Sequence, residues 1–229
     1  MEKAFLNWSG GKDCTMALHK VNEDKKFSIE FLFTTISREF QRVSMHGVRK
    51  ELITRQALSL GIHSRKLYLP ENPDMKVYED FMTHEMKLMK TRGIDNSIFG
   101  DIFLEDLKKY RQEKLKALEM NAHFPVWGND TKELLKEFVG LNYKAVIVSI
   151  DKQKLNENFL GREINIELLN DLPENVDPCG ENGEFHTFVY SGPAFAQEIK
   201  IKKGEKVIKN YTHEGKIFEY GFLDLELDY

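Results

Sequence analysis

Hydrophobic runs alternate with amphipathic stretches along the first half of the chain. The short apolar runs have the length of buried strands, and the stretches between them carry apolar residues at helical spacing. The pattern predicts strands at 4–8, 29–36, 65–69, 97–100 and 123–126, with helices at 13–23, 49–60, 74–92 and 104–120. Strands that alternate with helices are typical of a parallel sheet that is covered on both faces.

The pattern changes near residue 128. The run Asp130–Glu133 is typical of a helix start, which predicts a helix to Leu141 and then a strand at 144–150. Farther on, alternating runs with turns at 203–205 and 214–215 predict an antiparallel meander. The predicted fold class is therefore α/β, with a parallel-sheet domain over residues 1–128 and a smaller α+β domain over residues 129–229.

Composition and charge exclude several classes of protein. The chain of 229 residues is 41% hydrophobic and 31% charged, which excludes a disordered or fibrous protein. No window approaches about 20 uncharged apolar residues and no signal peptide is visible, so we expect a cytoplasmic protein with no membrane partner. The net charge of −4 argues against nucleic acid as a general partner.

A glycine loop joins the first predicted strand to the first predicted helix. Its sequence is Ser9-Gly10-Gly11-Lys12-Asp13-Cys14. Glycine lets the backbone approach an anion closely, and the unpaired amides and dipole at a helix N terminus favour negative charge. The loop therefore predicts a phosphate site, with a plain strand-to-helix turn as the alternative. Its spacing fits neither a Walker A loop nor a GxGxxG fingerprint.

The glycine loop resembles the SGGxDS loop of the PP-loop ATP pyrophosphatases. Further motifs follow in order along the chain: Gly100-Asp101-Ile102, Tyr110-Arg111, Pro125-Val126-Trp127 and CGENGEFHTF at 179–188. Together they resemble the diphthine–ammonia ligase family and its bacterial relatives over most of the chain. The resemblance implies a Rossmann-like PP-loop domain, similar to the adenine nucleotide alpha hydrolases, followed by a smaller domain that closes the site.

The same resemblance implies an ATP-dependent, amide-forming ligase. A substrate carboxylate would be adenylated with release of pyrophosphate, and ammonia would then displace AMP. ATP and Mg²⁺ would be the cofactors, and ammonia and a carboxylate on a modified protein side chain would be the other substrates. Two alternatives stay open: a PP-loop enzyme that modifies RNA, and an ATP-binding sensor without turnover. A homodimer is also left open.

The resemblance places the nucleotide on the glycine loop and beside the fourth strand. The candidate cofactor-binding residues are Ser9, Gly10, Gly11, Lys12, Asp13, Cys14, Gly100 and Arg111. Cys14 departs from the family pattern, which has serine at this position. A thiol at a helix N terminus beside a lysine is expected to have a lowered pKa. We therefore expect Cys14 to react quickly and to be protected by ATP.

Asp101 follows a predicted parallel strand, at the edge where α/β sheets bind ligands. It is a candidate catalytic residue and the candidate Mg²⁺ ligand, with a helix N-cap as the alternative. Arg111, on the next predicted helix, is suited to meet a phosphate. The alternative for Arg111 is a surface ion pair with Glu105 or Glu113.

The loop at 177–188 supplies the other candidate catalytic residues, Glu181 and Glu184. Gly180 and Gly183 allow a compact loop that can approach a ligand, and they are candidate substrate-binding residues. Two neighbouring carboxylates are suited to hold ammonium, to accept its proton or to hold Mg²⁺. The alternative is an acidic turn that leads into a strand.

His46 and Gly47 complete the candidate substrate-binding residues. They lie in a polar loop at 38–49, after the second predicted strand, where a loop of this length would reach over a nucleotide pocket. A histidine in a loop is also commonly no more than a solvated side chain, and that alternative stays open.

Overall fold

The computed structural model describes residues 1–70, 73–213 and 216–228, and these form two sheets. The strands of the first sheet are β1 (Glu2–Asn7), β2 (Phe27–Ser37), β3 (His63–Leu69), β4 (Asn96–Ile98) and β5 (Asn121–His123). Four helices alternate with them: α1 (Lys12–Asp24), α2 (Lys50–Leu60), α3 (Met75–Lys90) and α4 (Glu105–Lys116). The alternation predicted from the sequence is confirmed.

The first sheet is parallel throughout, with the strand order β3-β2-β1-β4-β5. The chain builds outward from β1 through β2 and β3, then crosses back to β4 and β5. The strand order therefore reverses between β1 and β4, and the loops beyond their carboxyl ends separate to leave a crevice. The glycine loop follows β1 and Gly100 follows β4, so both motifs lie at this crevice.

The second sheet is antiparallel. Its strands are β6 (Lys144–Asp151), β7 (Phe185–Ser191), β8 (Ile201–His213) and β9 (Lys216–Leu227), in the order β7-β6-β9-β8. Two helices, α5 (Thr131–Gly140) and α6 (Ile166–Asp171), belong to the same region. The Asp130 side chain caps α5 by accepting a hydrogen bond from the Glu133 amide. This separate antiparallel region confirms the predicted fold class.

Buried hydrophobic residues join the two sheets. Consecutive residues of a strand point to opposite faces, so Phe5 and Leu6 enter different clusters. Phe5 packs with Met86 and Met89 of α3, whereas the cluster around Leu6 continues into β6 and β7. Because one cluster runs through both sheets, the domain boundary near residue 128 stays a prediction. No helix in the described ranges is long and apolar enough to cross a membrane.

Three local predictions were wrong. The meander is absent because β6 lies between β7 and β9. The turn predicted at 203–205 is a shift of register inside β8, where a bulge absorbs extra residues while the hairpin continues. The fifth strand lies at 121–123 and not at 123–126, since Pro125 has no amide hydrogen for a sheet ladder. The turn predicted at 214–215 lies outside the described residues.

Candidate active site

The glycine loop is held by its neighbours from several sides. Gly10 has a φ of +83°, a conformation that favours glycine, and a Cβ there would lie 2.7 Å from both Gln56 Oε1 and Ile53 Cδ1. The Gly10 carbonyl accepts hydrogen bonds from the Val189 amide at 2.9 Å and from Gln56 Nε2 at 3.0 Å. The loop therefore takes its shape from α2 and from β7 of the second sheet.

The first turn of α1 begins directly at this loop. Gly11 is the N-cap residue, and a Cβ on it would lie 3.0 Å from His46 Cε1 and 3.2 Å from the Thr187 carbonyl oxygen. The Lys12 amide donates to Thr187 Oγ1 at 3.0 Å. The amides of a first turn have no acceptor within their own helix. The Lys12 amide is thus already bonded to Thr187, and the phosphate site at the beginning of α1 stays a prediction.

Lys12 is buried beneath the loop and is 3% exposed. Its Nζ donates to both carboxylate oxygens of Asp13 at 2.9 Å and to the carbonyl oxygen of Cys179. Burial alone would lower the pKa of Lys12, but the charge of Asp13 raises it above its ordinary value. Lys12 is therefore a buried cation that ties the glycine loop to the 177–188 loop.

Cys14 lies in the same first turn and is 5% exposed. Its Sγ lies 3.6 Å from Ser9 Oγ and donates to the Gly11 carbonyl at 3.1 Å. Burial raises the pKa of the Cys14 thiol, so the lowered pKa predicted from the sequence was wrong. The physical reason is that Lys12 turns its charge toward Asp13, which leaves desolvation to dominate at the thiol.

Asp101 and Arg111 meet at the crevice, beyond the end of β4. Asp101 Oδ2 lies 3.1 Å from Arg111 Nε, but neither atom has an aligned hydrogen-bond partner. The N-cap residue of α4 is Leu104, and Arg111 pairs with Asp101, so neither structural alternative weighed for these two residues is observed. Burial raises the pKa of the Asp101 carboxyl group.

Glu181 reaches from the 177–188 loop to the end of β4. Its Oε1 accepts hydrogen bonds from the amides of Ile102 at 2.7 Å and Phe103 at 3.4 Å. Burial raises the pKa of Glu181 to about 7, and the negative charges of Asp13 and Asp101 add to this increase. The second region therefore contributes a carboxyl group to the crevice that titrates near neutral pH.

Glu184 is placed differently, although it lies only three residues farther along. It is 3% exposed and accepts hydrogen bonds from the amides of Asp177 at 3.2 Å and Asn182 at 3.0 Å, and from Asn182 Nδ2 at 3.0 Å. Gly180, at a φ of +67°, and Gly183, at +85°, provide the turns that bring these groups together. Glu184 therefore holds the loop in shape from within.

Two imidazole rings stack beside the glycine loop. The centroids of His46 and His186 are 4.4 Å apart, with an angle of 29° between the ring planes. Burial lowers the pKa of both, and the pKa of His186 falls to about 4. Sequence reasoning selected His46 but missed His186. The CGENGEFHTF motif, which contains His186, could have led to it. His186 precedes Thr187, whose hydroxyl oxygen accepts a hydrogen bond from the Lys12 amide of the glycine loop.

The polar loop at 38–49 is clamped onto β9. Asp224 accepts hydrogen bonds from Arg42 Nη1 at 2.7 Å and from Arg49 Nη2 at 2.5 Å. At Gly47, with a φ of +69°, a Cβ would lie 2.7 Å from Phe222 Cδ1. This clamp, which sequence reasoning also missed, fixes the loop that carries His46 against the second sheet.

Comparison with known families accounts for nearly the whole chain. The model of the diphthamide synthase N-terminal domain matches residues 1–120, and that of the C-terminal domain matches residues 130–219. The chain belongs to the diphthamide synthase family. This confirms the predicted resemblance to the PP-loop ATP pyrophosphatases, and it makes the chain an ATP-dependent ligase.

Curated relatives within the diphthamide synthase family carry the name diphthine–ammonia ligase. The human protein is 27% identical over 204 residues, which cover 82% of this chain and 74% of the relative. The protein of Danio rerio is 26% identical over 223 residues, covering 87% and 86% respectively. The protein of Schizosaccharomyces pombe is 22% identical, and the match covers 87% of this chain but only 36% of that longer relative.

In this member of the diphthamide synthase family, the candidate site lies away from two surface grooves. Grooves of about 640 Å³ and 320 Å³ lie beside α2 and at the end of the second sheet, and none of the predicted site residues lines them. Among residues 1–70, 73–213 and 216–228, no three His, Cys, Asp or Glu side chains are arranged to hold a metal ion. Most of the predicted site residues lie where the glycine loop meets the 177–188 loop.

Proposed function

We propose that this chain is a diphthine–ammonia ligase that adenylates a carboxylate on a modified protein side chain and then transfers ammonia to it. One observation carries the proposal most strongly: Glu181 binds the Ile102 amide at 2.7 Å, at the crevice that also holds the glycine loop. A phosphate-binding element and a carboxylate that titrates near pH 7 thus face the same space. The family membership supports the same reaction.

ATP binds with its phosphates at the start of α1. The amides of the first turn and the helix dipole stabilise the phosphate charge. Lys12 contributes from beneath the loop, where its hydrogen bonds to Asp13 and the Cys179 carbonyl fix the loop. Catalysis of adenylation then consists mainly of positioning and charge stabilisation.

Asp101 is the residue suited to hold Mg²⁺. Its Oδ2 is a buried oxygen without a hydrogen-bond donor, and Mg²⁺ in nucleotide sites is commonly held by one or two carboxylates together with substrate phosphates. The ion would supply positive charge at the leaving pyrophosphate. Arg111 Nε lies 3.1 Å from the same oxygen and pairs with the carboxylate.

Glu181 acts in the second half-reaction. It holds an ammonium ion and accepts one proton from it, and the resulting ammonia attacks the carbonyl carbon of the acyl-adenylate. The bond between that carbon and the AMP oxygen breaks, AMP leaves, and the nitrogen loses a further proton to solvent as the amide forms. Glu184 positions the loop and does not take part in the proton transfer, which revises the role inferred from the sequence.

The products formed from ATP test this function. Radiolabelled ATP should yield AMP and pyrophosphate in the presence of ammonia and a diphthine-bearing protein, and the protein should gain an amide. ADP as the main product would refute the assignment. AMP release driven by RNA would favour the RNA-modifying alternative, and tight binding without turnover would favour the sensor. The cytoplasmic location and the homodimer stay predictions.

A further inference from the structure

The stacked rings of His46 and His186 have no part in the reaction as derived above. Yet His46 lies against the glycine loop, because a Cβ on Gly11 would lie 3.0 Å from His46 Cε1, and His186 stacks on His46. Gly11 caps the helix whose N terminus presents the phosphate-binding amides. An anion held by those amides would therefore be a neighbour of the His46 ring.

The cations around this loop are already engaged. Lys12 is paired with Asp13, and Arg111 with Asp101. Arg42 and Arg49 are both held by Asp224. A nucleotide brings several negative charges to this place. An imidazole is the side chain that can add a positive charge there near neutral pH, because it gains a proton when an anion approaches.

The hydrogen bonds of His46 show which nitrogen is available. Its Nδ1 lies 3.3 Å from the Thr187 carbonyl oxygen, and a carbonyl can only accept, so Nδ1 carries the hydrogen. This assignment leaves Nε2 with a lone pair in the neutral ring. Once Nε2 is protonated, both nitrogens donate, and the bond to Thr187 is kept while Nε2 becomes free to donate to a phosphate oxygen.

We propose that His46 takes up a proton when a nucleotide phosphate binds at the glycine loop, and that it then serves as the phosphate-binding cation of the site. His186 is a positioning residue, whose neutral ring supports His46 by stacking. The proton comes from solvent on binding and returns to solvent when the phosphates leave. The inference rests on the proposed ATP site, but neither adenylation nor amide formation requires it.

Several groups around His46 determine how ATP affinity should depend on pH. Burial, His186 of β7 and Lys12 of α1 oppose protonation of His46 in the free protein, whereas the Thr187 carbonyl favours it. Arg42 and Arg49, on the loop that carries His46, are balanced by Asp224 of β9. His46 holds its proton more tightly when the nucleotide is bound than in the free protein. ATP affinity should therefore rise as pH falls, by up to about tenfold per pH unit, until His46 is protonated in the free protein as well.

Titration calorimetry measures the proton directly. ATP is titrated into the full chain at about pH 7, in buffers that differ in their enthalpy of ionisation, and the slope gives the protons taken up. The wild type should take up as much as about one proton more than His46→Gln. The difference between the two proteins cancels protons that ATP itself exchanges. His84→Gln, at an exposed position on α3, is the matched control and should behave as wild type.

Two further measurements keep the test decisive. His46→Lys, which carries a permanent cation, should bind ATP with no more proton uptake than His46→Gln, and its ATP affinity should lack the pH dependence that His46 contributes. The NMR shifts of isotopically labelled histidine in the wild type should show one ring, absent from His46→Lys, becoming charged on ATP addition. Equal proton uptake by wild type and His46→Gln would overturn this inference while leaving the ATP site intact. Absence of ATP binding by the wild type would overturn the proposed function as well.

Discussion

Gly100 lies so close to Cys14 that a Cβ on Gly100 would be 2.8 Å from the Cys14 amide nitrogen. The carbonyl carbon of Asp13 would lie at the same distance. Both are backbone atoms, which cannot move aside as the end of a flexible side chain can. The end of β4 and the first turn of α1 therefore pack backbone against backbone, and glycine is required by this contact.

Gly100→Ala should push the start of α1 away from the crevice. We expect a loss of about 1–3 kcal/mol in the free energy of unfolding, because the substitution overpacks a rigid contact. ATP affinity should fall together with stability. Gly140→Ala is the matched control: beyond its chain neighbours and the backbone of its own helix, no atom lies within 4 Å of a Cβ at this position in α5, so it should be neutral or stabilising. Urea unfolding measures the stability and calorimetry measures the ATP affinity. If both variants behaved alike, the close packing at Gly100 would be contradicted.

Glu181→Gln should separate ATP binding from amide formation. The variant keeps an oxygen for the Ile102 amide but loses the charge, so ATP affinity should be nearly unchanged. Amide formation should fall by about 10²-fold or more, as expected for a lost acid–base group. Calorimetry and ammonia-dependent AMP release measure the two quantities. Loss of ATP binding would instead make Glu181 a ligand of the nucleotide or its metal ion.

The raised pKa of Glu181 also predicts two pH effects. The rate of amide formation should increase with pH through about 7, as the carboxyl group ionises. The folded state holds this proton more tightly than the unfolded state, so the contribution of Glu181 to stability declines as pH rises from 4.5 toward about 7. Glu181→Gln should therefore be more stable than wild type above that range and equal to it below. Urea unfolding at both ends of the range checks the sign.

Glu184→Gln should mainly lower the stability of the protein. An amide group would face the three N–H donors that the carboxylate now satisfies, so we expect a loss of about 1–3 kcal/mol in the free energy of unfolding. Glu174→Gln, an exposed change in the segment just before this loop, should have little effect. Unchanged stability together with lost amide formation would return Glu184 to the catalytic role inferred from the sequence.

Alkylation of the two cysteines should be slow, with ATP or without it. Cys14 is 5% exposed and Cys179 is 2% exposed, and burial raises the pKa of both thiols. The reactive thiolate is therefore scarce and inaccessible. Mass spectrometry of labelled peptides measures the rate against a free thiol. Fast labelling of Cys14 that ATP suppresses would contradict its buried position.

Asp224→Asn should loosen the loop that carries His46. Burial alone would raise the pKa of Asp224, but its hydrogen bonds to Arg49 and Arg42 lower it to about 2. Its stabilising contribution is therefore complete above the ordinary value of 3.8 and is lost as pH falls through about 2. At neutral pH the variant should lose about 1 kcal/mol of unfolding free energy, and it should bind ATP more weakly. Glu226→Gln, which affects a more exposed pair with Arg49, should cost less.

The sequence was sufficient for features that depend on local patterns. The hydrophobic run before Ser9 and the glycines after it predict a strand, a turn and a helix without reference to the rest of the chain. The second helix, predicted to end at residue 60, ends at Leu60, and Gly61 follows it with a φ of +67°. The position of β6 between β7 and β9 could not be predicted, since strand pairing over long distances leaves no local pattern.

The candidate site was predictable in its residue types but not in its contacts. The direction that Glu184 faces depends on hydrogen bonds to Asn182 and Asp177 that form only after the loop closes. The ion pair of Asp101 with Arg111 depends on how α4 rotates against β4. His186 was missed because the alternation along a strand predicts only which residues share a face of the sheet. It does not predict which other elements contact that face.

The glycine loop receives part of its support from residues made much later during synthesis. The bond from the Lys12 amide to Thr187 joins positions 175 residues apart. A ribosome delivers the chain from the N terminus, so the first sheet emerges well before β7 exists. Contacts between such distant positions also form late, because a long loop must close first. We expect a nascent chain to bind ATP only after β7 has been synthesised and has reached the loop.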